Sequence, residues 1–310
     1  MAFNRPLTNI EKSIDFNLYE RFLDTVKDQS IRELREIVNE QKKAYALTVK
    51  NILQTNERIS KQINEIDALK IKYYQPFYNV IKEYLNIVCL FGLKQTTQEL
   101  KIKNPKKLSM EMVSWINATC NTITNKYLNS ANLIVTLPII DNIGRGLSYI
   151  ELVYRINLLF DQIIIKQPAI IIGCIEGKAL FRGRDLAVKL FNKDIKLEAE
   201  GFSLAPIQEF FQRERVVAAQ WSAILDSHTC PLCAQLDGHI VDIDSPDYAF
   251  YSPGAMHAGC RCMWAYIRSS ERPENRVIDW KAPSATLLKK YANPVFKDKR
   301  EIIIDEDDEE

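Results

Sequence analysis

Two short pairs of metal-binding side chains lie close together in the C-terminal third of this 310-residue sequence. The first pair is Cys230 and Cys233, and the second pair is His257 and Cys260. In each pair two residues separate the ligands, so a tight turn can bring both ligand atoms onto one ion. Zinc in structural sites is bound by four such thiolate and imidazole groups. The spacing therefore predicts a closed structural zinc site.

Cys262 competes with Cys260 for the fourth ligand position. The segment from Cys260 to Ile267 alternates like a strand, and residues two apart in a strand face the same way. Cys260 and Cys262 would then point together, with Arg261 on the opposite side. We favour Cys260, because a knuckle bends the chain at the ligand, but the sequence leaves both alternatives open.

The residues around the two pairs predict a small α+β module made of a helix, a knuckle, a β-hairpin and a strand. Pro206 opens an apolar stripe at spacings of three and four residues that runs to Ile224 and predicts a helix. Asp237-Gly238 has the composition of a two-residue hairpin turn, which requires positive φ at both positions. A zinc ion would join these segments.

The residues before the module predict a bundle of long helices. From about Phe22 to Leu69 the chain has neither Pro nor Gly, and one of its two heptad lines is apolar throughout. The companion line is polar in its middle, which favours packing inside a bundle over a coiled coil. Further helices are expected in three segments: Tyr73 to Leu93, Met110 to Leu128 and Tyr149 to Lys166. We expect breaks at Pro76, Gly92 and Pro138, and leave the run from Ala169 to Cys174 open between strand and helix.

Charge and targeting signals give few positive indications of function. The formal net charge of +1 favours neither nucleic acid nor membrane as a partner. The last six residues, Asp305 to Glu310, are all acidic and predict a disordered tail, which either docks on a partner or solubilises the protein; we favour the solubilising role. No signal peptide is expected, and no membrane span, because charged residues interrupt the most apolar region, Tyr149 to Ile165. The expected reducing setting favours metal binding over disulfides.

Enzymatic alternatives have little support in the residues. A zinc deaminase would need a His-x-Glu motif, which is absent from the sequence. A metal-dependent nuclease would need an open coordination position and a general base, for which His228 and His239 are the candidates. With four good ligands already present, these histidines are read as surface residues, and no catalytic residue is predicted. A zinc-containing DNA-binding regulator is a third alternative, which the near-neutral charge disfavours.

The sequence around the two pairs resembles a known family. Four short sequence motifs follow one another here: Trp221, Asp226-Ser-His-Thr-Cys230-Pro-Leu-Cys233, Leu-Asp237-Gly238 and His257-Ala-Gly-Cys260-Arg261-Cys262. They resemble the phage head-morphogenesis, or Mu protein F-like minor head, family over about residues 200 to 268. His228 stands where the family usually has Arg, and Ala258 where it has Pro, but neither change removes a ligand.

This resemblance implies a non-enzymatic minor capsid protein that acts in head morphogenesis. It implies a place in the virion, after assembly in the host cytoplasm, near the portal vertex where DNA enters the head. Portal and capsid proteins would be its partners, with packaged DNA as a further contact through the basic stretches Lys101 to Lys107 and Lys178 to Lys189. Neither a membrane nor a small-molecule substrate is expected. The alternative is a metal-dependent nuclease or toxin-like effector built on the same module.

We expect three parts in the chain: a helical body at residues 1–200, the Cys/His module at 201–270, and a C-terminal extension with the acidic tail at 271–310. Five residues are expected to stabilise the module without being first-choice ligands. They are Asp226, Asp237, Gly238, Arg261 and Cys262. In this interpretation Arg261, which lies between two cysteines, would pair with Asp226 and lock the module.

Overall fold

The structure is a computed structural model that describes residue 14 and residues 16–54, 59–102, 108–145, 148–201, 215–223, 229–271 and 278–291. Five helices come first: α1 (Phe16–Gln54), α2 (Ile59–Glu99), α3 (Met110–Arg145), α4 (Tyr149–Leu159), which continues into a π-helical turn (Phe160–Ile164), and α5 (Gln167–Gly201). Short elements follow: β1 (Val216–Ser222), α6 (Pro231–Leu236), β2 (Ile240–Asp242), α7 (Pro246–Phe250), β3 (Met263–Arg268), a 3-10 turn (Ser269–Glu271) and α8 (Ala285–Tyr291). The predicted fold class, mainly α with a small module containing strands, is confirmed.

The chain divides into two compact units. The bundle unit comprises Leu23–Asn86 and Ser109–Ile172. The cluster unit comprises Met1–Phe22, Ile87–Leu108 and Gly173–Glu310. The domain boundaries expected near residues 200 and 270 are a separate matter from this division into compact units. They stay predictions. The acidic tail lies outside the described residues.

In the bundle unit the heptad lines of α1 face the core. Val38 and Tyr45 on the apolar line are fully buried, so the predicted intramolecular packing of this helix is confirmed. Gln41, on the polar companion line, is also fully buried and accepts a 2.7 Å hydrogen bond from the Tyr127 hydroxyl. The ring of Tyr127 stacks on Phe77 with centroids 4.1 Å apart. A polar core position is therefore tolerated because α3 supplies its partner.

Several expected helix ends were wrong. Pro76 and Pro138 lie inside α2 and α3, and Gly92 also lies inside α2. A proline removes one backbone donor, a local cost that tertiary packing of a long helix can offset. The predicted helix from about Phe22 to Leu69 corresponds to α1 and the start of α2, and residues 55–58 between them lie outside the described residues. The run from Ala169 to Cys174 is helical.

One helical stretch of the described residues, Ile150–Asn192, has the length and composition to cross a membrane, with a mean hydropathy of 1.7 in its most apolar window. A core helix of a soluble protein can share this length and composition but is mostly buried, whereas 35% of this window is buried. Leu152, Ile156 and Phe160 are among the buried residues of the stretch, and one such stretch is weak evidence for a membrane span. The stretch by itself therefore does not indicate a membrane protein. The expectation that the chain has no membrane span stays a prediction.

The cluster unit contains a three-stranded antiparallel sheet in the order β2-β1-β3. Ala219 pairs with Val241 on one side and with Tyr266 on the other. Trp221 of β1 and Trp264 of β3 are direct partners, and their rings meet edge to face at 5.0 Å. The sheet thus buries its large aromatic side chains against the rest of the unit.

The helix predicted from Pro206 to Ile224 is wrong for residues Val216–Ser222, which form the central strand β1. Six of the seven residues of β1 are buried, so both faces of this strand are covered and its sequence is a nearly continuous apolar run. Short runs of this kind cannot be assigned by periodicity alone. Residues 206–214 and 224 of the predicted helix lie outside the described residues.

The hairpin predicted at Asp237-Gly238 is also wrong. Gly238 has the positive φ of 88° that the turn was expected to need, but Asp237 has a φ of −59°. The turn joins the short helix α6 to β2, and β2 pairs with β1. The Asp-Gly pair therefore marks a turn in the right place, but it connects different elements from those predicted.

A buried arginine links four elements of the cluster unit. Arg184 on α5 makes two hydrogen bonds to the Glu99 carboxylate at the end of α2, at 3.0 and 2.9 Å. It also donates to the Trp264 carbonyl on β3 at 3.0 Å and to the Tyr19 hydroxyl on α1. The Arg184 side chain is 1% exposed and the Glu99 side chain 15%. The hydrogen bonds of Arg184 therefore hold α1, α2, α5 and β3 together.

Candidate metal centre

The four predicted ligands and Cys262 lie in one cluster in the cluster unit. In the first group, Cys230, Cys233 and His257, the ligand atoms all lie within 4.8 Å of one another. The second group, Cys233, Cys260 and Cys262, meets the same limit. The two groups share Cys233, whose Sγ lies 2.9 Å from His257 Nε2 and 3.9 Å from Cys260 Sγ. This cluster could hold a metal ion.

The first cysteine pair begins the short helix α6. Cys230 is the N-cap residue, with φ −72° and ψ 155°, and Pro231 follows at the first helical position, where its missing N–H costs nothing. The Cys233 backbone N–H donates to Cys230 Sγ at 3.4 Å. The turn thus brings both sulfurs to the same side of the helix start, as the two-residue spacing predicts.

The second pair lies in the loop between α7 and β3. The loop turns at Gly254 and Gly259, which have φ values of 78° and 69°. The Gly259 N–H donates to the Gly173 carbonyl of α5 at 2.6 Å and so anchors the loop. His257 Nδ1 lies 2.9 Å from the Ala258 carbonyl oxygen. A proton on Nδ1 would donate there and leave the Nε2 lone pair directed at the sulfurs, the usual orientation of a metal-binding histidine.

Two of three ligand–ligand distances in the cluster are close to those around a tetrahedral zinc ion, and the third, 2.9 Å between Cys233 Sγ and His257 Nε2, is shorter. Zinc–sulfur bonds of about 2.3 Å and zinc–nitrogen bonds of about 2.0–2.1 Å place two sulfurs ~3.8 Å apart, and a sulfur and a nitrogen ~3.6 Å apart. Cys233 and Cys260 are separated by 3.9 Å, and Cys230 Sγ lies 3.4 Å from His257 Nε2. Thiolates with one imidazole are also the donor set that zinc prefers. The residues therefore fit the predicted ion, and the choice between Cys260 and Cys262 stays a prediction.

Shared protons dominate the electrostatics of the cluster. Hydrogen bonds from Cys233 and His257 lower the pKa of Cys230 to about 4, against the effect of its burial. Burial lowers the pKa of His257, but hydrogen bonds to Cys230 and Cys260 outweigh it and raise that pKa to about 11. The pKa of Cys233 is raised, chiefly by its hydrogen bonds to the other cysteines. A divalent cation would replace these shared protons, so metal uptake should release protons.

The predicted stabilising residues take different positions. Arg261 Nη1 donates to the Glu20 carboxylate on α1 at 3.1 Å, while Asp226, its predicted partner, lies outside the described residues. The Asp237 carboxylate accepts from the Ala223 N–H at 2.9 Å, just after β1. The Gly238 N–H donates to the Trp221 carbonyl at 2.8 Å. Asp237 and Gly238 thus connect the end of α6 to β1.

The candidate general base is not placed at the cluster. His239 Nδ1 lies 3.2 Å from both the carbonyl oxygen and the carboxylate of Asp279, and its side chain is 32% exposed. His239 is absent from both ligand groups. His228 lies outside the described residues. Of the two candidate bases, the one that the structure describes, His239, is therefore not beside the metal ligands.

Gly177 on α5 is a contact point of the ligand loop that sequence reasoning missed. A Cβ at Gly177 would lie 2.8 Å from the Cys260 carbonyl oxygen and 2.8 Å from Gly254 Cα. At Gly173, one turn earlier, a Cβ would meet nothing within 4 Å. Only a glycine at position 177 lets the helix approach the loop this closely.

We expect Gly177→Ala to lower the free energy of unfolding by about 1–3 kcal/mol and to weaken metal binding, because the loop must shift. The matched control Gly173→Ala should gain about 0.5–1 kcal/mol, since alanine is the better helix former. Chemical denaturation and metal titration measure both effects. If the two variants behave alike, the loop does not depend on the close approach.

A family model described as Phage Mu protein F like protein matches residues 198–265. The match covers β1, α6, β2 and α7, all five residues of the cluster and the first half of β3, and it confirms the resemblance for this region. That family comprises phage head-morphogenesis proteins and is not a known enzyme family. No curated protein matches the chain, and no solved structure matches it.

Proposed function

We propose that this chain, whose residues 198–265 match the Phage Mu protein F like family, is a non-enzymatic minor head protein of a phage virion. The observation that carries the proposal is the cluster of four thiols and one imidazole within the matched region. The protein would join the phage head during assembly in the host cytoplasm and would remain in the head, near the portal vertex. The family's role in head morphogenesis supports this location.

The metal would be a structural zinc ion. A bound zinc ion supplies a rigid tetrahedral junction between the segments that carry its ligands. Those segments are the start of α6 and the loop before β3, which are 24 residues or more apart in sequence. Because the cluster offers five ligands for four positions, no coordination position is left for a substrate. This supports a structural role over a catalytic one.

The bundle unit supplies a docking surface for a portal or capsid protein. We define the α3/α4 face by six apolar side chains that are 41% to 76% exposed: Leu133, Leu137 and Ile140 on α3, and Ile150, Tyr154 and Leu158 on α4. Each set recurs at spacings of three or four residues and so lies on one side of its helix. The two helices pack against each other. Clustered apolar side chains of this kind mark protein interaction sites.

Packaged DNA is a further proposed contact. Lys189, in the basic stretch from Lys178 to Lys189, is exposed, although it pairs with Asp185 at 3.0 Å. Most of the other stretch, Lys101 to Lys107, lies outside the described residues. The support for DNA contact is therefore limited to charge, and a salt-dependent affinity would be its signature.

Mass spectrometry of purified virions tests the proposal most directly. The chain should be present in low copy number, and metal analysis of the recombinant protein should find one zinc ion per chain. Co-expression with the portal protein should yield a complex. A chain that is absent from virions and does not bind the portal or capsid proteins of its phage would contradict the assignment, whatever its metal content.

Charged substitutions on the α3/α4 face test the docking surface. We expect Leu137→Glu combined with Tyr154→Glu to weaken the complex with the portal or capsid protein at least tenfold, because truncating central apolar contacts typically costs 2 kcal/mol or more. Ile71→Glu on α2 is the matched control, since Ile71 is 78% exposed and lies outside the face. Co-purification and equilibrium binding measure the effect. Equal binding by the double variant and the control would rule the face out.

A further inference from the structure

A cleft in the cluster unit lies between α5 and the segment that contains α7. Its volume is about 530 Å³, within the ordinary size range of small-molecule sites. The residues that face it from α5 follow one side of that helix, and the opposite wall runs from Ile243 to Ala249. We call this the α5/α7 cleft.

Lys178 lies at this cleft without a counter-ion. Its ammonium group donates to the Ser252 hydroxyl at 2.8 Å and lies 5.0 Å from the ring centroid of Phe181. Among the described residues no carboxylate pairs with it. The Lys178 side chain is half-buried, and partly removing an ammonium group from water without an ion pair is costly. A lysine in this state points to an anion that the protein binds.

A second cation and the two acids of the cleft decide its charge. Arg182 follows Lys178 by one helical turn and also lines the cleft. Asp185 is already neutralised by Lys189 at 3.0 Å and accepts a hydrogen bond from the Tyr248 hydroxyl at 3.1 Å. The other acid, Asp244, is exposed to solvent. Three cations, Lys178, Arg182 and Lys189, and two acids line the cleft, so its lining has one positive charge in excess.

We propose that the α5/α7 cleft binds a phosphate ester, whose anionic oxygens pair with Lys178 and Arg182. The terminal phosphate of a nucleotide carries close to two negative charges at neutral pH, and each backbone phosphate of DNA carries one, so either can pair with adjacent cations. The cleft is several times larger than a phosphate group. The remaining space is lined by apolar atoms of Phe181, Val188 and Ile243, which suit the organic part of the ligand. The phosphate would belong either to a nucleotide or to the backbone of DNA.

The protonation of Lys178 supports this assignment. Burial lowers the pKa of Lys178 to about 7, with Arg182 adding to the decrease and Asp185 opposing it. A bound anion would favour the charged form of the lysine. Affinity should therefore fall as the pH rises above 7, where Lys178 loses its proton. The charged groups that face Lys178 are Arg182 and Asp185 on its own helix and Asp244 on the opposite wall.

Calorimetric titration of the full chain with ATP, with inorganic phosphate and with a short DNA duplex tests the proposal. Lys178→Met should weaken binding about tenfold or more, since a charge-assisted hydrogen bond is lost. Arg182→Gln should act in the same direction. The matched control is Lys94→Met, which changes an exposed helical lysine of the same unit outside the cleft. In Lys178→Met the decrease in affinity above pH 7 should also disappear.

The outcomes separate the two sources of phosphate. Binding of ATP that depends on Lys178 identifies a nucleotide-type ligand, whereas dependence seen only with the duplex identifies DNA. The variant should remain folded, with a midpoint of thermal unfolding close to that of the wild type, because methionine replaces a half-buried lysine with a side chain of similar length. Failure of all three probes to bind would overturn the proposal. So would equal weakening by Lys178→Met and Lys94→Met, which would show unspecific attraction.

Discussion

Replacing Cys233 by serine is expected to weaken metal binding and to destabilise the cluster unit more than any other single change at the centre. Cys233 belongs to both ligand groups, so each of them loses a donor in this variant. Zinc binding contributes apparent free energies of about 10–16 kcal/mol in small zinc domains, and part of that energy is folding energy. The affinity for zinc should therefore fall by at least three orders of magnitude.

Metal analysis and thermal unfolding with and without a chelator measure this effect. Wild-type protein should lose stability when the chelator is added, and Cys233→Ser should not respond to it. Cys120→Ser is the matched control, because Cys120 is a buried free cysteine of the bundle unit. A Cys233→Ser protein that still binds one zinc ion with unchanged affinity would show that the five groups do not share a single ion.

The same assay decides between the two candidate fourth ligands. Cys260 and Cys262 are both buried, with 2% and 5% of their surface exposed. If Cys260 is the ligand, Cys260→Ser should reduce zinc affinity far more than Cys262→Ser. The reverse order would assign the position to Cys262. Similar, moderate losses in both would show that each thiol can replace the other, which a cluster with five donors permits.

That Cys230, Cys233, His257 and Cys260 lie together could be predicted from the sequence, because the information is local. A pair such as Cys230 and Cys233 sits on a single turn, so spacing alone fixes its geometry. The expectation that the two pairs lie together followed from ligand chemistry, because structural zinc takes four ligands. Local patterns also gave the long helices, where Val38 and Tyr45 recur at seven-residue spacing and are buried.

The errors arose where tertiary neighbours decide. Val216–Ser222 is a strand because β2 and β3 flank it on both sides, a fact that its own apolar spacing does not contain. Pro76 stays inside α2, in a helix whose neighbouring residue Phe77 is packed against α3. The charge at Arg184 was not predicted, because its partner Glu99 is 85 residues away. No local signal marks such a pair.

Replacing Arg184 by methionine is the second change with a large expected effect. We expect the free energy of unfolding of the cluster unit to fall by about 3–5 kcal/mol, because breaking a buried ion pair leaves an uncompensated charge. Here that charge is Glu99, which would lose both hydrogen bonds of the bidentate pair. The Tyr19 hydroxyl and the Trp264 carbonyl would lose their donor as well.

Denaturant unfolding followed by tryptophan fluorescence measures the loss, since Trp221, Trp264 and Trp280 lie in the cluster unit and only Trp115 lies in the bundle unit. Lys42→Met is the matched control: it breaks an exposed ion pair with Asp161 and should cost no more than about 1 kcal/mol. Adding Glu99→Met to Arg184→Met should recover much of the loss, because replacing both partners of a buried pair by apolar residues is often neutral. A single variant that unfolds within 1 kcal/mol of the Lys42→Met control would show that α1, α2, α5 and β3 are held together by apolar packing alone.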